Sequence, residues 1–409
     1  MKFISSSKTV SETQKELSRT SVEHLFKPEY PLLKALQDQM RSAVSDFKPL
    51  ENIKKNYSQF AIVGIGGSSL GIQVLSQYFS KSNFVYFDNI DAVQFENQMN
   101  SFENLDKVFW LFISKSGETI ETLATLEFID QIYQQKGKNL KTQSLVITEK
   151  KSNSLNMLAA KHGVPQYEVP IDVGGRFSVL SYVGLVPAYL MGLNITAIEA
   201  GARKALANKE LVVSFVAEAL ASFDRQEWVT VLWSYSSQLK NFGFWWQQLW
   251  AESLAKKTSL NSQTVQRVST PLPLVGATDQ HSVLQQIAEG AKDKLVIFLR
   301  AGASESGHLR LQSSHCEPTK TLVGLRLGDL LKAEAMATQQ SLTESGVSNF
   351  SLQIDQLDEE SLGFLLMFSQ LSVLALGKAL NLNPLDQPGV ERGKILCKAL
   401  LKNPSLYKS

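Results

Sequence analysis

The chain has 409 residues, with 41 Lys and Arg against 39 Asp and Glu, and is 44% apolar and 20% charged. At roughly 100–200 residues per domain this length holds two or three domains with sizeable cores, and a net charge of +2 supplies neither a basic stripe for a nucleic-acid backbone nor an acidic tail, so a small-molecule partner is expected. The two cysteines, Cys316 and Cys397, form no disulfide framework and no zinc-ligand spacing, and the polar first ten residues carry no signal-peptide pattern; a cytoplasmic protein is expected.

The first fifty residues read as amphipathic helix without recognisable chemistry. A β-branched run at 60–63 ends in Gly64-Ile65-Gly66-Gly67 and passes into a helical pattern. A second run, 108–113, ends in Ser114-Lys115-Ser116-Gly117 and does the same. Runs at 145–147 and 167–169 are further strand candidates, with 154–160 helical between them. Past Gly174-Gly175 a helical region covers 179–223. The strand–helix rhythm then restarts with strands at 229–233, 295–299 and 350–354 and helices at 237–257, 329–344 and 359–380. The apolar stretch 362–377 is short of the roughly 20 residues needed to span a bilayer and is interrupted by Ser369, Gln370 and Ser372, which makes it a buried helix. Such alternation predicts parallel βαβ units in two α/β blocks. The expected domains are a helical segment at 1–50, α/β domains at 51–205 and 206–380, and a carboxy-terminal arm at 381–409.

Parallel strands present their carboxyl ends to ligands, and a glycine-rich turn there lets backbone N–H groups approach an anion. Gly64-Ile65-Gly66-Gly67-Ser68-Ser69 suits that role, although it lacks the lysine of a Walker loop and has Ser69 where a dinucleotide motif needs glycine. Ser114-Lys115-Ser116-Gly117-Glu118-Thr119 adds three hydroxyls and an ammonium at the end of another strand. Helix capping explains either loop taken alone; two of them in one block favour a phosphorylated small molecule.

With these loops the sequence resembles the glucose-6-phosphate isomerase family, whose fold is a pair of sugar-isomerase (SIS) domains. The likeness also rests on Gly174-Gly175-Arg176-Phe177-Ser178, on the stretch from Gln248 through Glu252 to Lys256, and on Asp386-Gln387-Pro388-Gly389-Val390-Glu391 ending in Lys394. Thr278-Asp279-Gln280-His281-Ser282 is similar to the family's histidine segment. Leu385 and Ala255 depart from the usual pattern, at positions without ionisable groups. The resemblance implies two three-layer αβα sandwiches with parallel-sheet cores, a helical amino-terminal segment and a carboxy-terminal arm.

It also implies interconversion of D-glucose 6-phosphate and D-fructose 6-phosphate, with no metal or organic cofactor. One carboxylate must move a proton between adjacent carbons, and Glu252 is the candidate. Trp245, Trp246, Leu249 and Trp250 around it promise a desolvated setting, and Gln248, Glu252 and Lys256 recur every four residues along one helix face. Arg176 would stabilise the enediolate. His281 and Lys394 would open the sugar ring, since imidazole exchanges a proton near neutral pH. Gly67, Ser68, Ser114, Lys115, Ser116, Thr119 and Gln248 would hold the substrate. In the family the histidine comes from a neighbouring subunit, so a homodimer is implied. His308, His315 and Cys316 lie close in sequence but not at zinc spacing. Two alternatives remain at this stage: a non-catalytic sugar-phosphate sensor, and an isomerase that also accepts mannose 6-phosphate.

Overall fold

Strands form where β-branched and aromatic residues alternate between two faces. In 108–113, Val108, Trp110 and Phe112 enter one apolar cluster while Phe109, Leu111 and Ile113 enter another, the period of two that a sheet covered on both sides demands. The structure is a computed structural model that describes residues 1–26, 30–261 and 267–403. In chain order its elements begin with β1 (Lys2–Ser6), α1 (Glu12–Leu25), α2 (Pro31–Asp46) and α3 (Leu50–Asn56). The first α/β block holds β2 (Gln59–Val63), α4 (Leu70–Tyr78), β3 (Phe84–Phe87), α5 (Ala92–Asn100), β4 (Val108–Ile113), α6 (Ile120–Gln135), β5 (Ser144–Glu149), α7 (Ser154–His162) and β6 (Gln166–Val169). The helices α8 (Tyr182–Leu190), α9 (Ile195–Ala207) and α10 (Lys209–Asp224) follow. The second block comprises β7 (Val229–Tyr235), α11 (Lys240–Leu254), β8 (Thr270–Val275), α12 (Leu284–Glu289), β9 (Lys294–Ala301), α13 (Leu327–Glu344), β10 (Ser348–Ile354) and α14 (Glu359–Ala379), and α15 (Glu391–Lys402) comes last.

Two five-stranded sheets result, ordered β3-β2-β4-β5-β6 and β1-β10-β9-β7-β8. Every pairing is parallel except that of β1 with β10. Each sheet therefore has a switch point where successive strands leave in opposite directions, between β2 and β4 and between β7 and β9, and a ligand crevice belongs there at the carboxyl ends of the strands. The inner faces of both sheets and the helices between them form one continuous apolar core. The outer faces are covered separately, by α6 and α7 on the first sheet and by α12 and α13 on the second. Helix α14, 21 residues long and apolar enough to cross a membrane, is the expected buried helix: 89% of its most apolar window lies inside the protein.

Three strands were not expected from the sequence. β1 precedes the expected amino-terminal helices because Phe3 stacks on Phe350 at 5.1 Å, a contact 347 positions distant that no local pattern reveals. β3 has only four residues. β8 contains Pro271 and Pro273, which argue against a central strand but are tolerated at an edge, where β8 lies.

Helices α9 and α14 cross closely enough to exclude side chains. A Cβ on Gly201 would stand 1.8 Å from the Glu360 oxygen, and one on Gly363 would stand 2.0 Å from the Ile198 oxygen. Backbone cannot yield as a flexible side chain can. Gly363→Ala is therefore expected to destabilise the protein by about 1–3 kcal/mol, read as a lower urea midpoint at unchanged m-value.

Candidate active site

The chain returns five times to the carboxyl edge of the first sheet. After β2, the Gly64–Ser69 turn tightens, with Gly66 at a φ of +60°. A Cβ on Gly64 would lie 2.7 Å from the Ile113 oxygen, so this turn abuts the loop after β4. A Cβ on Gly67 would lie 2.3 Å from the Gly175 carbonyl, and Ser178 Oγ donates to the Gly67 oxygen at 3.3 Å; the turn thus also seats the Arg176 segment. A Cβ on Gly66 would stand 3.1 Å from Gln248 Nε2 on α11. Ser68 stands half-buried on this turn.

The second loop is preformed. Ser114 Oγ lies 2.8 Å from Thr119 Oγ1 and 3.4 Å from Ser116 Oγ, and it accepts the Gly117 N–H. Glu118 accepts from the Ser154 N–H and Oγ at 2.7 and 2.8 Å, tying the loop to the start of α7. Lys115 is held within the chain: its ammonium pairs with buried Glu149 at 3.1 Å and donates to the Ile171 oxygen at 3.0 Å.

Arg176 is the centre of the arrangement. A guanidinium has five N–H donors in a fixed plane, and each has a partner here. Nε donates to Ser253 Oγ at 2.7 Å. Nη1 donates to Glu252 Oε2 and to Gln387 Oε1, both at 3.2 Å. Nη2 donates to the Asp386 backbone carbonyl at 2.8 Å and to the Pro384 carbonyl. The side chain is 2% exposed; burial lowers the guanidinium pKa while Glu252 and Asp386 oppose that, and a guanidinium stays charged at neutral pH.

Glu252 also receives Gln248 Nε2 at 3.0 Å, so both carboxylate oxygens are fixed. The aromatic setting expected from sequence lies elsewhere: Trp245, Trp246 and Trp250 turn into the core, and Glu252, 30% exposed, faces the guanidinium and an open cleft of about 470 Å³ lined by Leu70, Phe244, Gln248 and Pro271. The expected helix face loses its last member, Lys256, which lies two residues beyond the helix end. α11 ends at Leu254 with Ala255 as its cap, and Lys256 folds back to donate to the Glu252 backbone carbonyl at 2.8 Å.

The structure does not bring His281 or Lys394 to this cluster. His281 is exposed on a single 3₁₀ turn, Thr278–His281, and α12 begins three residues later. That turn follows the carboxyl end of β8, whereas Glu252 shares its cleft with Thr270 and Pro271 at the amino end. At about 3.3 Å per residue the ends of a six-residue strand are on the order of 17 Å apart. Lys394 lies exposed on α15, and among the described residues its hydrogen-bond and ion-pair partner is Glu391 at 2.8 Å. Ser253, Pro384, Asp386 and Gln387 complete the cluster: none was assigned a role from sequence, although Ser253 lies within the Gln248–Lys256 stretch and Asp386 and Gln387 open the final motif, whereas Pro384 carried no signal. Among the described residues no group of three His, Cys, Asp or Glu side chains is placed to hold a metal ion.

The architecture is that of phosphosugar isomerases. A crystal structure of a glucose-6-phosphate isomerase from Chlamydia trachomatis matches with a TM-score of 0.77 at 21% identity, over 96% of this chain and 79% of that one. A hypothetical protein from Thermus thermophilus matches with a TM-score of 0.81 at 29% identity, over 95% and 94%. Within that class the family is specific. The profile of phosphoglucose isomerase matches residues 27–408. A glucose-6-phosphate isomerase from Thermus thermophilus is 34% identical over 84% of this chain and 83% of its own length, and one from Campylobacter jejuni is 32% identical over 86% and 87%. The chain belongs to the phosphoglucose isomerase family.

The contact between Gly67 and Gly175 sets the spacing of the two loops. Gly67→Ala is expected to push them apart and lower kcat/KM by about 100-fold, the scale at which ångström misplacements act, while far-UV circular dichroism stays unchanged.

Proposed function

We infer that the chain catalyses the reversible isomerisation of D-glucose 6-phosphate to D-fructose 6-phosphate. The observation that carries this, within its family, is a carboxylate held on both oxygens, by Gln248 and Arg176, beside two donor-rich loops at a sheet switch point. Ser68, Ser114, Ser116 and Thr119, with the Gly67 backbone, bind the phosphate. Lys115 contributes positive charge from behind the loop. Gln248 Oε1 is buried and lacks a hydrogen-bond partner among the described residues, which supports it as acceptor for a substrate hydroxyl, since such an atom is costly to leave unpaired.

His281 and Lys394 open the ring by moving a proton between the anomeric hydroxyl and the ring oxygen. Glu252 then takes the proton from C2 of the open aldose, and the electron pair forms the C1–C2 double bond as charge moves to the C1 oxygen. The same carboxyl returns the proton to C1 while the O2 hydroxyl proton passes to the negatively charged C1 oxygen, leaving a ketone at C2 and a hydroxyl at C1. Because Arg176 has all five donors engaged, it serves the enediolate by its fixed charge and by aiming Glu252. No cofactor takes part.

The separation of His281 from Glu252 along β8 supports a homodimer in which His281 of the partner subunit completes each site. Exposed Ile395, Leu396, Leu400 and Leu401 on α15 supply apolar surface for such an assembly. Cys316 and Cys397, both exposed and free, fit the reducing cytoplasm. Neither a nucleic acid nor a membrane is proposed as a partner.

Glu252→Gln should reduce turnover in a coupled assay by more than tenfold, a barrier increase above about 1.4 kcal/mol; a smaller loss in folded protein removes Glu252 as the base. Co-refolded Glu252→Gln and His281→Ala chains should regain about a quarter of wild-type activity, because only mixed dimers hold one intact site. No recovery, or an active monomer in light scattering, speaks against shared sites.

A further inference from the structure

Lys256 has no part in the proton transfers, yet its side chain is only 6% exposed. It lies just past α11, where the last carbonyls lack helical partners. Its ammonium has three donors, and three acceptors meet them: the Glu252 carbonyl at 2.8 Å, the Asp386 carbonyl at 2.5 Å and Asp386 Oδ1 at 2.9 Å. Asp386 Oδ2 in turn accepts from Asn383 Nδ2 at 3.1 Å, and Asn383 Oδ1 accepts the Leu385 N–H at 3.0 Å, so the 383–386 turn is closed on itself. The Asp386 carbonyl is shared with Arg176 Nη2. Two cations on one oxygen repel each other, and the Asp386 and Glu252 carboxylates offset that. Burial lowers the Lys256 pKa while Asp386 opposes the shift.

We propose that Lys256 is a positioning residue for the isomerisation, stapling the 383–387 turn to the end of the helix that carries Glu252 and thereby holding Gln387 and Arg176 against that carboxylate. The chain of contacts runs from Lys256 to Asp386, from Asp386 to Arg176 and from Arg176 to Glu252, with no substrate contact required of Lys256. The proposal rests on Glu252 being the base.

Lys256→Met and Asp386→Asn test it in the full-length protein, the second at an exposed residue whose replacement leaves the core untouched. For Lys256→Met, kcat should fall about 10- to 100-fold with KM within about threefold of wild type, and Asp386→Asn should move the same way by less. With glucose 6-phosphate deuterated at C2, the isotope effect on kcat should grow in both variants, because misaligned proton transfer becomes more rate-limiting. A smaller folded fraction lowers kcat but leaves that ratio unchanged. An unchanged isotope effect, or kcat retained in both variants, overturns the proposal. Glu252→Gln measured alongside separates the two ideas: retained turnover there removes the base, whatever Lys256 does.

Discussion

A single buried guanidinium organises the cleft. Arg176 enters from the segment after the first sheet, and its partners lie on α11 and on the 384–387 turn after α14. Five donors in one rigid plane admit one solution, so the positions of Glu252, Ser253 and residues 384–387 are mutually determined. A lysine in its place would leave most of those acceptors unpaired in a water-poor setting, where each unpaired group costs about 1–3 kcal/mol.

The guanidinium can do this only because the rest of the fold delivers its partners accurately. The two sheets share one core rather than touching at a polar interface, and α14 runs through it. Gln370 of that helix donates to the Phe177 carbonyl at 2.9 Å, holding the residue next to Arg176. The α9–α14 crossing is set by backbone contact at Gly201 and Gly363, which fixes α14 of the second block against the helices that connect the two blocks. Rigid scaffolds of this kind suit an isomerisation in which the reacting groups must be held in fixed geometry.

Much of this was legible in the sequence, for identifiable reasons. The parallel blocks follow from runs such as 108–113, where both alternating sets are apolar, and the ligand edge follows from Gly64–Ser69 and Ser114–Thr119 at strand ends. What escaped depends on distant partners. β1 exists because of Phe350, and β8 is a strand because β7 accepts it despite its prolines. The helix pattern continued past its true end because Lys256 looks like a further four-residue step, while its role at the helix end depends on Asp386, 130 positions away. The direction in which Glu252 points was hidden for the same reason: three neighbouring tryptophans suggested apolar surroundings, but they are buried in the core while Glu252 faces the cleft.

The prolines of β8 have one more effect. Residues 271 and 273 point their nitrogens the same way, and β7 takes the ladder on the other side, so the open edge of the second sheet lacks two of the N–H groups with which an incoming strand would pair. At the opposite edge β1 is short and its register is interrupted. Both borders of this sheet are therefore poor templates for the addition of a further strand.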